Sequence, residues 1–101
     1  MKQLDVLVIG GGLLGCFAAR ELCRWQLSVG LAEAANDVCT GISRANSAIV
    51  YAGYDNKPGS KKAQMTVRGN ARMDNLCREL DVPFSRCGSL LVSCNPETNC
   101  F

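Results

Sequence analysis

An α/β fold built on a parallel strand–helix–strand unit is predicted by three observations in the first third of the chain. A short aliphatic run, "LDVLVI", spans residues 4 to 9. Glycines follow at positions 10, 11, 12 and 15, and they lead into a helical pattern. A second aliphatic run, "LSVGLAEA", spans residues 27 to 34.

Each element has its own warrant. The first run is rich in valine and isoleucine and does not alternate with polar residues. That pattern suits a parallel strand buried on both faces. From Leu13 to about Arg24, the residues Leu14, Ala18, Leu22 and Trp25 recur at steps of four, four and three, one apolar stripe of a helix. The second run is again strand-like, although Gly30 adds nothing to pack within it. Strand, glycine turn, helix and strand in about 30 residues form a right-handed parallel crossover.

Beyond this unit, residues 35 to 47 are small and polar and read as a loop, with a helical turn expected near Ser43 to Ser47. "AIVYAGYD", residues 48 to 55, reads as a short strand or an extended segment. "NKPGS" is a turn, and Ser60 is a good N-cap for a helix over 61 to 80. In that helix Met73, Leu76, Cys77 and Leu80 make one apolar stripe, with Ala63, Val67 and Ala71 beside it. Pro83 disfavours helical backbone at the residue before it and closes the element. "CGSLLVSC", residues 87 to 94, reads as a last strand.

Composition narrows the function classes. The chain has 101 residues, net charge +2 and 48% apolar residues, enough for at most one small globular domain. Its 11 Lys and Arg are scattered, so no electrostatic case for nucleic acid exists. No stretch approaches the roughly 18 apolar residues of a membrane span, and no secretory signal is legible. The seven cysteines have no C-x-x-C spacing and there is no histidine, which disfavours a structural zinc site. A reducing, cytoplasmic setting is expected, with the cysteines as small buried apolar groups or exposed free thiols.

Gly10, Gly12 and Gly15 spell G-x-G-x-x-G after a strand and at a helix start, where the dinucleotide-binding mechanism needs them. Gly10 permits the tight turn, Gly12 lets a pyrophosphate approach the backbone, and Gly15 lets the helix lie close to the strand. The helix N-terminus offers N–H groups and partial positive charge to phosphates. Glu33 ends the second strand, 21 residues after Gly12. A carboxylate there accepts hydrogen bonds from ribose hydroxyls and repels a 2′-phosphate. Gly11 receives no role. This chemistry fits NAD and FAD equally, since both carry adenosine diphosphate.

Three longer stretches tilt the reading: "DVLVIGGGLLGCFAARELCRWQLSVGLAEA", "SRANSAIVYAGYDNKPGSKKAQMTVRGN" and "LCRELDVPFSRCGSLLVS". Over residues 4 to about 94 the chain resembles the N-terminal segment of FAD-dependent oxidoreductases of the D-amino-acid oxidase superfamily. The likeness is strongest to flavin-dependent glycerol-3-phosphate dehydrogenases and L-2-hydroxyglutarate oxidases. The resemblance implies a Rossmann-like FAD-binding α/β domain. It places Gly10, Gly12 and Gly15 on the FAD pyrophosphate and Glu33 on the adenosine ribose. It also makes Ser43, Arg44, Asn46 and Ser47 part of a second flavin-contact loop. Arg44 reads equally as a solvated loop cation, and Asn46 and Ser47 as loop caps. Relatives commonly carry histidine where this chain has Tyr51. Tyrosine donates a hydrogen bond there but does not titrate near neutral pH, so Tyr51 is a packing aromatic at least as readily as a flavin contact.

The resemblance also implies a much longer parent protein. Residues 1–82 are expected to be the first part of an incomplete FAD-binding domain and 83–101 the start of a substrate domain. Taken alone, the chain is expected to be marginally stable, with an exposed sheet edge. The implied parent activity is oxidation of glycerol 3-phosphate to dihydroxyacetone phosphate by hydride transfer to flavin, on a small-molecule substrate of the hydroxy acid or glycerol phosphate class. The alternatives are an NAD(P)-binding oxidoreductase and a non-catalytic nucleotide-binding remnant.

Overall fold

The computed structural model describes residues 3 to 92. They fall into two compact units, divided between Ile49 and Val50.

The first unit is the predicted crossover. Strand β1 (Val6–Ile9), helix α1 (Leu13–Leu22) and strand β2 (Val29–Ala32) follow one another, and the strands pair in parallel with Val6 opposite Val29 and Ile9 opposite Ala32. The ladder extends past both ends: Asp5 N–H donates to Ser28 C=O at 2.9 Å and Gly10 N–H to Ala32 C=O at 2.8 Å. Asp5 also has a side-chain role, since its carboxylate accepts the Ser28 N–H at 2.7 Å and joins the strand starts. Gly30 is required rather than merely tolerated, because Leu4 leans across β2. A Cβ on Gly30 would meet Leu4 Cδ1 at 2.6 Å.

Helix α1 covers one face of the sheet, but of the predicted stripe only Leu22 has reduced exposure. Leu14 is 86% exposed and Trp25 72% exposed. The face turned to the sheet carries Gly15, whose missing Cβ would lie 3.5 Å from Val8 Cγ1. Ala19 and Leu22, four and seven residues on, share its reduced exposure. The glycine contact sets the helix rotation, and Leu14, one residue away, is turned about 100° off that face. Because strand side chains alternate, Val8 faces α1 while Leu7 and Ile9 occupy the other, uncovered face. Ile9 is 85% exposed there.

The second unit centres on helix α2 (Lys61–Glu79). Ser60 is its N-cap, with Oγ accepting the Ala63 N–H at 3.1 Å. Before it, a turn closes from Ser60 N–H to Lys57 C=O, with Pro58 at the first central position and Gly59 at φ 76° in the second. That is the residue order a type II turn requires. The helix stops at Glu79, four residues ahead of Pro83. Asp81 adopts φ 54°, and the N–H of Val82 reaches back to Cys77 C=O at 2.8 Å, as in a Schellman end.

The less exposed face of α2 carries Met73, Leu76 and Cys77 of the expected stripe, together with Ala63, Thr66 and Asn70; Val67, Ala71 and Leu80 are exposed. Two polar members belong because chain segments pack on this face. Asn70 Nδ2 donates to Tyr51 C=O at 3.1 Å, and the Arg86 guanidinium binds the Asp74 carboxylate, the Asn70 side-chain oxygen at 2.9 Å and the Asn70 C=O at 3.0 Å. Arg86 also lies 5.4 Å from the centroid of the Phe84 ring. Buried Gly53, at φ 104°, lies under α2, where a Cβ would meet Val67 Cγ2 at 2.9 Å.

Two expected strands do not form among the described residues. Residues 48 to 52 carry no ladder, and the chain then turns over 53 to 56, with Asn56 N–H donating to Gly53 C=O and Ala48 at φ 54°. Residues 87 to 92 likewise carry no ladder; 93 and 94 lie outside the described residues. A strand exists only through its partner, and no described segment pairs with either stretch.

Both ends of α2 are open to test. Ser60→Ala is expected to cost about 1 kcal/mol through loss of the cap. Asp81→Gly is expected to raise the midpoint of urea unfolding, because glycine adopts φ 54° without a Cβ penalty.

Candidate nucleotide-binding site

The turn from β1 into α1 explains its glycines one at a time. Gly10 sits at φ 103°, a conformation that L side chains rarely adopt. Gly15 closes on it: a Cβ there would lie 1.9 Å from the Gly10 carbonyl oxygen. No backbone can yield that much without lifting the helix off the strand. Gly12 differs. As N-cap of α1 it has φ −71°, open to any residue, and a Cβ would meet only Ser43 Oγ at an ordinary 3.4 Å. The protein's own packing does not require glycine at 12.

Gly11, which received no role from the sequence, is the buried glycine of this motif. Its N–H donates to Glu33 Oε2 at 2.6 Å, and its carbonyl accepts the Cys39 N–H at 2.8 Å and the Cys16 thiol at 3.3 Å. A Cβ on Gly11 would stand 3.0 Å from both Glu33 Oε2 and Val38 Cγ1. The signal was present in the third consecutive glycine, but the steric demand comes from residues 22 and 27 positions away.

Glu33 thus ties the end of β2 to the glycine loop. Its Oε1 accepts the Ala35 N–H at 2.9 Å while Oε2 holds Gly11. These N–H groups, Ala35 first and then Gly11, hold the carboxyl below its usual range. The group is exposed and ionised at neutral pH. A carboxylate offers about four lone-pair sites, so two occupied ones leave room for hydroxyl donors.

In front of this loop lies an open groove lined by Gly10, Gly12, Gly15, Ser43 and Asn46, with an apolar rim that includes Ile9, Leu14 and Ile42. The first intrahelical bond of α1 runs from Cys16 N–H to Gly12 C=O. The N–H groups from Gly12 to Gly15 therefore have no partner within the helix. Ser43 Oγ accepts one of them, Leu13 N–H, at 2.9 Å, and so caps the helix from 30 residues away. Asn46 braces the same loop, donating to Ser43 C=O at 2.6 Å and accepting the Ala48 N–H at 2.8 Å. Turns at 41–44 and 42–45 present both residues, slightly earlier than the 43–47 expected.

Of the eight residues singled out from the sequence, five line the groove. Glu33 acts on the loop from behind it. Arg44 and Ser47 are exposed and outside the lining.

The donor set suits a nucleotide diphosphate: unpaired helix N–H groups, a hydroxyl, a carboxamide, and at Gly12 a space that a Cβ would fill. The model of the FAD-dependent oxidoreductase family matches residues 5–99. The chain belongs to that family of FAD-dependent oxidoreductases. A glycerol 3-phosphate dehydrogenase of Caloramator mitchellensis is 52% identical over 90% of the chain and 19% of its own length. The human mitochondrial L-2-hydroxyglutarate dehydrogenase is 32% identical over 95% of the chain and 21% of its own length. A glycerol 3-phosphate oxidase of Mycoplasma pneumoniae is 31% identical over 94% of the chain and 25% of its own length. The chain thus spans a fifth to a quarter of the curated relatives it matches. Family membership fits the fold, a Rossmann-like α/β unit with a two-stranded parallel sheet.

Gly15→Ala is expected to cost about 1–3 kcal/mol in urea unfolding, because the added methyl collides with backbone. Gly11→Ala should cost less, since the Glu33 side chain can withdraw. The Glu33 tie also has a pH signature. The folded-state value is lowered, so the tie is complete above the ordinary value of 4.5 and is lost as pH falls through the lowered one. The Gly11 amide proton shift, followed by NMR, should titrate with a midpoint below 4.5.

Proposed function

We propose that this chain holds the adenosine diphosphate half of FAD in a flavoenzyme that oxidises a small secondary alcohol. The observation that carries the reading is Gly12. It is a glycine that the protein's own packing does not need, placed at a helix N-terminus that faces a groove. In this reading the pyrophosphate lies over Gly12 and the first-turn N–H groups of α1. Gly10 and Gly15 shape the seat, and Ser43 and Asn46 border it. Arg44 and Ser47 extend the same loop, and Glu33 accepts the ribose hydroxyls while keeping the glycine loop in place.

FAD, when bound, supplies the redox chemistry by accepting a hydride. The residues of this chain supply binding, orientation and a fixed positive potential for the phosphates. The substrate assignment rests on the names of the relatives. Glycerol 3-phosphate, oxidised to dihydroxyacetone phosphate, is favoured over a 2-hydroxy acid because the 52% identical relative is a glycerol 3-phosphate dehydrogenase. Residues 1–82 then form the first part of the FAD-binding domain and 83–101 open a substrate domain.

Gly12→Ala separates binding from folding. The variant should keep the unfolding midpoint of the parent yet bind FAD at least about tenfold more weakly, a loss of about 1.4 kcal/mol or more, by flavin fluorescence titration. Unchanged FAD affinity would defeat the assignment. For the substrate, a longer protein that carries this segment should reduce a dye acceptor with glycerol 3-phosphate; turnover with 2-hydroxyglutarate alone would replace the substrate class and leave the FAD site standing.

A further inference from the structure

Cations that look scattered along the sequence are gathered by helix α2. From Asn56 to Met73 the chain has no Asp or Glu, yet it holds Lys57, Lys61, Lys62, Arg68 and Arg72, five of its 11 Lys and Arg. All five are exposed. At about 100° per residue, Lys61, Arg68 and Arg72 fall within about 40° of one another around the helix. They lie on the side opposite Ala63, Thr66, Asn70 and Cys77, the face on which chain segments pack. Lys62 flanks the row, and Lys57 stands just ahead of the Ser60 cap. Met65, 61% exposed, sits between Lys61 and Arg68 on the same side.

Among the described residues none of the five cations takes part in an ion pair. Asp74, the next acid along the helix, is held by Arg86. Glu79, seven residues past Arg72, ends the row.

We propose that this face of α2 is a docking surface for an anionic lipid membrane, on which the helix lies flat. From Lys61 to Arg72 the helix rises about 17 Å, so the row meets several headgroups at once rather than a single anion. Lys and Arg heads reach the phosphates while their stems and Met65 rest at the apolar boundary. Helix α2 carries no aromatic side chain to stack on a base, which favours lipid over single-stranded nucleic acid. No helix among the described residues is long and apolar enough to cross a membrane, and the proposed contact needs none. An exposed apolar side chain such as Ile9 is readily covered by more protein. Burying cations without partners is strongly unfavourable, so the row stays at a surface in any longer protein that carries this segment. The proposal is independent of the FAD reading.

The test uses the full 101-residue chain and vesicles of equimolar phosphatidylglycerol and phosphatidylcholine. At low salt the chain should co-sediment with these vesicles, and molar sodium chloride should release it. Vesicles of phosphatidylcholine alone should leave it in the supernatant. Each Lys or Arg near such a surface strengthens partitioning about fivefold, so Lys61→Gln, Arg68→Gln and Arg72→Gln combined should weaken it about a hundredfold. A second triple variant, Arg20→Gln, Arg24→Gln and Arg78→Gln, removes the same charge away from the row and should weaken partitioning far less. Circular dichroism should show the helix content of the parent in both. Equal loss from the two triples overturns the proposal, because net charge alone would then explain the binding. Equal binding to phosphatidylcholine alone overturns it, as does retention by polyuridylic acid without binding to the mixed vesicles.

Discussion

The close approach of helix α1 to the turn leaving β1 is the constraint on which the first unit depends. Only a glycine at 15 lets the helix backbone pass the Gly10 carbonyl, and only a glycine at 10 takes φ 103° readily. Together they set how the helix is rotated over the sheet. That rotation puts Val8 beneath the helix, turns Leu14 outward to the groove rim, and aims the N–H groups of the first turn into open space. An anion site follows without further residues, because partial positive charge accumulates at a helix start.

The rest of the site is a matter of bracing. Glu33, Ser43 and Asn46 each spend hydrogen bonds on backbone: Glu33 on Gly11 and Ala35, Ser43 on Leu13, Asn46 on Ser43 and Ala48. A loop of small residues is mobile unless something holds it, and a phosphate seat must be held before the ligand arrives if binding is not to absorb the ordering cost. Gly11 is the centre of this bracing. Its N–H and C=O are both occupied, and Cys16 and Cys39 share its oxygen. The family the chain belongs to is one of FAD-dependent oxidoreductases.

Much of this was legible in the residues. The strand–helix–strand order, the Ser60 cap, the turn at "NKPGS" and the roles of Gly10 and Gly15 follow from local rules with short reach: backbone sterics, side-chain capping and aliphatic runs. The misreadings had longer reach. The stripe assigned to α1 was chosen by hydrophobicity, whereas a glycine contact decides the rotation. In α2 the expected Met73, Leu76 and Cys77 do lie on the packed side, but Asn70 and Thr66 join them where Leu80, Val67 and Ala71 do not, Asn70 because it binds Tyr51 and Arg86. Gly30 looked like a weakness in β2 because nothing near it in sequence shows that Leu4 crosses there.

The sequence alone determined the fold class, the glycine turn between strand and helix and, through resemblance, the flavin family. Those properties are carried by residue types at fixed spacing, and spacing survives without coordinates. The tertiary structure alone decided which glycine is free of packing duty, that Glu33 reaches Gly11, and that the Cys16 thiol and the Cys39 N–H share the Gly11 oxygen. It also showed that residues 48 to 55 and 87 to 92 form no ladder. Each of these depends on two segments meeting across 19 or more residues or on their failing to meet, and spacing along one chain does not record such encounters.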